Sequence, residues 1–395
     1  MSEVIVLFLI TLALIAVVLR ADFVLTVIYL LLSILLVGRW WSSQTLKAID
    51  IRRILTPHAF LGEIIPVRLQ LKNQSLLPVV WLQISESLPV QLKLSGTLRR
   101  VIRLGSKERV TLEYTLEGRK RGYYEIGPLV LYSGDLFGLA DTQQRRMSAS
   151  YLTVYPKIVP LNRVALPSRS PMGDLRHKQP IFEDPSRVIG KRDYVAGDSL
   201  RRVDWKATAS TGRLQVKLFE PSIALETAIF LDLDASSYDY RTRIDATELA
   251  IVVAASLANW ITGARQSVGL ATNGQDPLIE AGSPQPIPPR RGRGHLMRVL
   301  EILARIQSSD SQPIVDLLQR EIVGLSWGTT LIVITPLLDE ALFDRLFQAS
   351  RAGLSAVLVP CGPATHLREA RQRAKYFGFP LYHILIERDL DQWRN

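Results

Sequence analysis

Residues 192–220, RDYVAGDSLRRVDWKATASTGRLQVKLFE, divide a half of the chain that reads as strands from a half that alternates strands with helices. The stretch itself is mixed. A turn at Ala196-Gly197-Asp198 opens it, and an alternating strand closes it, with Leu214, Val216 and Leu218 on one face and Gln215, Lys217 and Phe219 on the other. Between them, charges of both signs alternate with Tyr194 and Trp205. A plain core excludes unpaired charge, and a plain surface has no use for clustered aromatics. The composition predicts a polar joint where domains meet, with Asp193, Asp198, Asp204 and Glu220 pairing with Arg192, Arg201, Arg202 and Lys217. A solvated, charge-rich segment with its aromatics tucked under is the alternative.

Working upstream, residues 157–190 carry Pro160, Pro167, Pro171, Pro180 and Pro185 without periodicity and read as an irregular connector. Residues 53–156 have period two. Val67, Leu69 and Leu71 alternate with Arg68, Gln70 and Lys72, and Val110, Leu112, Tyr114 and Leu116 repeat the pattern. Short runs at 80–84, 123–126, 129–132 and 151–155 are separated by Gly, Pro and Asp. Many short strands with frequent turns predict an antiparallel, immunoglobulin-like β-sandwich. Arg99, Arg100, Arg103, Arg119, Lys120 and Arg121 make it basic, which suits either anionic headgroups or charged strand edges that block unwanted pairing.

At the start of the chain, residues 4–19 and 23–37 are almost wholly apolar and are separated by Arg20, Ala21 and Asp22. One continuous helix would overrun a hydrocarbon core of ~30 Å and drag two charges into it. Two helices joined by a tight turn avoid that cost, so residues 1–42 are predicted to form a transmembrane hairpin. A cleaved signal peptide fits poorly, because Glu3 stands where a basic region belongs. Arg39, Lys47, Arg52 and Arg53 crowd the exit of the second helix, which predicts a multi-pass cell-membrane protein with its later domains in the cytoplasm. Trp40 and Trp41 sit where an interfacial aromatic belt belongs.

Downstream, residues 221–395 alternate apolar runs with helical periods. Strands are expected at 227–232, 268–272, 331–335, 356–360 and 382–386, and helices at 244–260, around 296–306, at 339–351 and around 368–376. The pattern predicts a mostly parallel sheet covered on both faces. In such sheets ligands collect beyond the carboxyl ends of the strands, and Asp232, Asp234 and Ser236 stand there after the first strand. Their oxygens suit Mg²⁺, although Asp and Ser at a strand end are also common turn and cap residues.

Length and charge bound the rest. A chain of 395 residues exceeds one typical core, and a formal net charge of +11 attracts acidic partners without choosing among them. The single cysteine, Cys361, excludes an intrachain disulfide. There is no G-x-x-x-x-G-K-[ST], no H-E-x-x-H and no G-x-S-x-G, so no enzyme is expected; Cys361 with His366 reads as packing rather than as a nucleophile and base. Arg290, Arg291, Arg293, His295 and Arg298 form a basic cluster, but without interleaved aromatics it predicts a solvated loop and no nucleic acid.

R-x-Y-x-x-G-D-x-x-R-x-x-D-W-x-x-T-A followed by L-x-V-K-x-F-E resembles the signature of the DUF58 family of membrane-anchored proteins. The matching positions are Arg192, Tyr194, Gly197, Asp198, Arg201, Asp204, Trp205, Thr208, Ala209, Leu214, Val216, Lys217, Phe219 and Glu220. Ser210 departs from the arginine common there. RGYYEIGPLVLYSGDLFGL resembles a further segment of that family, with Leu136 where proline is frequent. Asp232-Leu233-Asp234-Ala235-Ser236 resembles the D-x-S-x-S ion site of von Willebrand factor A domains, with Asp234 replacing the first serine. The later aspartate of that site has no match at Thr335-Pro336. The resemblance implies a von Willebrand factor A-like C-terminal domain and a partnership with a MoxR-type AAA+ ATPase. On it the chain reads as an adaptor that binds proteins, with a Mg²⁺-dependent hydrolase and a structural envelope protein as alternatives.

Overall fold

The computed structural model describes residues 7, 8, 10–12, 15, 22–92, 98–134, 143–162, 164, 183–221, 226–279 and 283–393, apart from the side chains of residues 143, 183–187, 189 and 219–221. The chain divides into two units, Met1–Lys157 with Leu303–Arg305, and Ile158–Ile302 with Ile306–Asn395.

The first unit begins, after scattered helical residues between Leu7 and Ile15, with helix α1, Asp22–Lys47. The first helix of the expected hairpin and its turn lie largely outside the described residues. At 26 residues, with a mean hydropathy of 2.1 over an 18-residue window, α1 is long and apolar enough to cross a membrane. It also runs past the expected boundary at residue 42. Its last turn is part of a protein core, with Thr45 and Leu46 buried. The guanidinium of Arg145 caps that end, donating to the carbonyls of Leu46 (3.3 Å), Lys47 (2.9 Å) and Ile49 (2.6 Å), where the helix dipole favours a cation.

Ten strands follow: β1 Ile49–Ile54, β2 His58–Phe60, β3 Ile64–Asn73, β4 Val79–Glu86, β5 Leu98–Leu104, β6 Arg109–Glu117, β7 Gly122–Ile126, β8 Leu129–Ser133, β9 Gln143–Met147 and β10 Ser150–Tyr155. They form sheets in the orders β1-β3-β6, β2-β10-β7 and β5-β4-β8-β9. Alternation works as expected: in β3, Ile65, Val67, Leu69 and Leu71 are buried and enter one core with Leu82 and Ile84 of β4 and Leu131 of β8. The strand module begins at Ile49, earlier than residue 53. Strands β5 and β9 escape a hydrophobicity pattern because Arg99, Arg100, Arg103, Arg145 and Arg146 interrupt them; both are edge strands, where charge blocks further pairing.

Arg53 corrects a sequence expectation. It does not flank the membrane as a solvated charge. Its side chain is wholly buried against that of Glu86, with Nε donating to Oε1 at 2.8 Å and Nη1 to the Ser150 hydroxyl at 2.7 Å. The hydroxyl of Tyr114 donates to Glu86 Oε2 at 2.6 Å. This polar set joins β1, β4, β6 and β10 through the middle of an apolar core. Burial, reinforced by the Glu86 carboxylate, pushes the Tyr114 hydroxyl well above its ordinary value.

In the second unit, β11 (Glu183–Asp193) and β12 (Gln215–Pro221) form an antiparallel pair around a short helix α2, Trp205–Thr211. Strand β11 starts inside the stretch expected to be connector. The rest is α/β: β13 Glu226–Leu231, α3 Arg243–Gly263, β14 Ser267–Thr272, β15 Ile287–Arg290, α4 Arg293–Arg305, α5 Ile314–Glu321, β16 Thr330–Ile334, α6 Glu340–Arg351, β17 Ser355–Val359 and α7 Leu367–Phe377. The sheet order is β15-β14-β13-β16-β17, parallel except at the β15 edge. Helix α3 is also apolar enough to span a membrane, but 61% of its apolar window is buried, which makes it a core helix of this sheet. The strand expected at residues 382–386 is absent; isolated bridges from Leu381 and Ile384 take its place. Strand β15 and helix α5 were not legible: IPPR lacks ladder donors at two prolines, and α5 has only eight residues.

Candidate functional site: the carboxyl edge of the parallel sheet

The chain leaves β13 toward β14 on one side, and β16 lies on the other, so the order reverses between β13 and β16. At such a point the connections diverge and leave a crevice at the carboxyl ends. Asp232 follows β13, Thr335 follows β16 and Asn273 follows β14, which brings three polar side chains to that crevice.

Asp232 is wholly buried, and its two oxygens are taken. Oδ1 accepts from Asn273 Nδ2 at 2.8 Å and from the Asp234 backbone N–H at 3.1 Å, and Oδ2 accepts from the Thr335 hydroxyl at 2.7 Å. Burial pushes the carboxyl above the ordinary aspartate range, opposed by these donors and by the Ser237 hydroxyl. Asn273 is the hub. It accepts from the Leu233 N–H at 2.6 Å and donates also to the Gln312 carbonyl at 2.9 Å, so it ties the ends of β13 and β14 to the loop before α5. Gly274 behind it admits no side chain: a Cβ there would lie 2.7 Å from both Ile306 and Leu233. Asp234, also buried, accepts from the Ser311 N–H at 3.0 Å and from the Ser236 hydroxyl.

The structure therefore brings together Asp232 and Asp234 but turns them to different partners. Thr335, directly after β16, is spent on Asp232. Among the described residues no group of three His, Cys, Asp or Glu side chains converges. The oxygens of Asp232 and Asp234 are turned to separate protein donors, whereas a near-octahedral Mg²⁺ shell collects its oxygens around one point. Sequence reasoning missed Asn273; the available signal was a polar residue directly after an apolar strand, followed by glycine.

Beside this network opens a polar cleft of about 900 Å³, lined by Asn273, Gln285, Ser311, Gln312 and Arg320 among others. The buried hydroxyl oxygen of Ser311 has no hydrogen-bond partner. The cleft wall is mostly amide and hydroxyl, the chemistry that meets peptide groups. Cys361, in contrast, is wholly buried and its thiol is pushed far up by that burial, while His366 is exposed and pairs with Glu369 at 3.5 Å, so the two form no dyad.

In the β11–β12 pair the ionic residues find partners within the segment. Arg192 clamps Asp198 with both Nη atoms at 2.6 Å, and the Arg192 hydrogen bonds hold that carboxyl down at about 2. Gly197 makes the turn between them with φ of 109°. Asp204 pairs with Lys191 at 2.9 Å rather than with the expected arginines, and its other oxygen caps α2 at the Ala207 N–H. Lys191 holds the Asp204 carboxyl below its ordinary value. Gln215 donates to Asp193. Tyr194 and Lys217 are half-buried, Arg201 is exposed, and Trp205 is 67% exposed rather than tucked under. Glu220 lies in β12, its side chain outside the described set.

The model of a protein family of unknown function, DUF58, matches residues 190–352, which takes in this segment and the whole crevice. Over residues 190–352 the chain is similar to DUF58. A curated relative, the uncharacterized protein YeaD of Bacillus subtilis, is 24% identical over 258 residues, covering 64% of this chain and 61% of that protein. The chain thus matches about six-tenths of that relative's length. Among solved structures, the CARDB domain of the PF1109 protein from Pyrococcus furiosus is 12% identical, covering 27% of this chain and 91% of that domain, with a TM-score of 0.20. A β-glucosidase from Listeria innocua is 15% identical, covering 27% of this chain and 16% of the enzyme, with a TM-score of 0.16. At such scores neither neighbour bears on the fold or activity of this chain.

Proposed function

We propose that this chain is a membrane-anchored adaptor with cytoplasmic soluble domains, and that it binds proteins at the carboxyl edge of its α/β sheet. The parallel sheet with an antiparallel edge supports reading that unit as von Willebrand factor A-like, and the shared core of the strand module supports an immunoglobulin-like sandwich. The observation that carries the function is the polar cleft beside a locked network. The Asp232 oxygens and their partners are already spent on one another, which suits a rigid recognition surface better than a reacting centre. The family resemblance makes a MoxR-type AAA+ ATPase the first partner to test, with assembly or maturation of other proteins as the outcome.

A photo-crosslinker placed at Gln285 or Gln312 of the full chain, in membranes that contain the ATPase, tests this reading. Adducts to the ATPase from both positions, and none from a position on α7, are expected. Adducts from neither cleft position would overturn it.

A further inference from the structure

One end of the strand module lies where α1 enters it. Register identifies it: Ile49 opposite Asn73, Lys72 opposite Arg109, and Val79 opposite Leu104 bring the loops 74–78 and 105–108 to the end where α1 enters. That end is fixed to α1 at two levels. The Gln74 N–H donates to the Ala48 carbonyl at 2.9 Å, and the Trp41 indole donates to the Pro78 carbonyl at 3.0 Å. The second contact sets the 74–78 loop level with the tryptophans that follow the apolar run of α1. An apolar groove of about 360 Å³ continues from there along Leu30, Ile34 and Val37 of the helix, with Val80 and Gly134 on its other wall.

The two loops are held rigidly by a buried asparagine. Asn73 donates to the carbonyls of Leu77 (2.8 Å) and Gly105 (2.9 Å) and accepts from the Ser75 N–H at 2.9 Å. The Lys107 N–H donates to the Ser75 carbonyl at 3.2 Å. What this clamp holds outward is Leu76, 75% exposed at the tip. Lys72, Lys107 and Arg109 are exposed around it, against Asp50, which faces Lys72 in register, and Glu108, whose carboxylate is turned onto the Gly105 N–H. An apolar tip within a basic ring suits a surface that is anionic outside and apolar beneath.

We propose that this end docks on anionic phospholipid, with Leu76 below the headgroups, Lys72, Lys107 and Arg109 on the phosphates, and an acyl chain in the groove beside α1. The proposal rests on α1 spanning the membrane. It makes the strand module a fixed collar on the bilayer rather than a domain on a free tether.

The test uses the full chain in nanodiscs of phosphatidylcholine alone or with phosphatidylglycerol. The probe is an environment-sensitive fluorophore on Leu76→Cys, with the unsubstituted chain as the labelling control. With phosphatidylglycerol the probe is expected to shift to the blue and to be quenched by lipids spin-labelled near the headgroup. Lys72→Gln and Lys107→Gln should each lower the docking equilibrium about fivefold, the effect of losing one cation near an anionic surface. A probe open to aqueous iodide in both lipids, or shielded equally in both and indifferent to the lysines, overturns the proposal. Resistance of the chain to alkaline extraction is read in parallel: a chain that extracts refutes the spanning helix, whereas one that stays with a wet probe refutes only the collar.

Discussion

Replacing Asp232 separates a hydrogen-bonded lock from a cation site. In Asp232→Ala the Asp234 N–H and the Thr335 hydroxyl lose their acceptor, while Asn273 keeps the Gln312 carbonyl and the Leu233 N–H. Two buried polar groups left unpaired cost about 1–3 kcal/mol each, or roughly 2–6 kcal/mol together. In Asp232→Asn the side-chain oxygen still accepts from Asn273 and Asp234, its amide faces the Thr335 oxygen, and the buried charge is gone. Burial raises the folded-state value of Asp232. Its contribution to stability is therefore full below the unfolded value and is lost as pH rises through the folded one. The asparagine variant should consequently gain on the parent chain from acid to neutral pH. Hydrogen exchange of β13 and β16 amides in the full chain reads this locally. Exchange about 30- to 25,000-fold faster is expected for the alanine variant, with the asparagine variant close to the parent and millimolar Mg²⁺ without effect. An asparagine variant that exchanges as fast as the alanine variant at pH 7, or slowing by Mg²⁺ in the parent alone, would refute the reasoning, because then the charge itself is required.

Three further outcomes follow from the same physics. Glu86→Ala strands the buried Arg53 guanidinium and should destabilise the strand module by about 3–5 kcal/mol, against about 1.5–3 kcal/mol for Tyr114→Phe, which removes one hydrogen bond to a charged group; exchange of β3 and β6 amides measures both. Gly274→Ala should cost about 1–3 kcal/mol through overlap with Ile306 and Leu233, and in the crosslinking experiment it should also weaken capture from Gln312, since the same turn carries Asn273. Asp198 should titrate by NMR near pH 2; its depressed value means that the Arg192 clamp contributes above the unfolded value and is lost as pH falls through about 2, and Arg192→Gln should return the midpoint toward ordinary aspartate.

The proposed anchoring would give these parts a common logic. The Arg145 cap and the Trp41 contact make α1 and the strand module one body, so a surface held at a bilayer by that body has a defined height. Independently, the crevice holds its polar groups in place, which on the proposed adaptor reading lowers the ordering cost of recognition.

Period and composition alone determined much of this protein. Period-two alternation located β3 and β6, apolar runs located the parallel strands, and the span-length run after Asp22 located α1, because each signal is local and repeats along the chain. The signature spacing located the DUF58 segment, and the Arg192–Asp198 pair was legible because a tight Gly197 turn brings its members together. Strands β5 and β9 were hidden by arginines that edge positions tolerate. Arg53 read as one of the charges crowding the exit of the membrane helix until packing put it face to face with Glu86 in an apolar core, 33 residues away in sequence. The crevice was half legible: a strand end marked Asp232, but only the sheet order brought Asn273 and Thr335 onto its carboxylate, from 41 and 103 residues away. Pairing of that kind is set by which strands lie side by side, a choice made by the whole core and carried by no single stretch of chain.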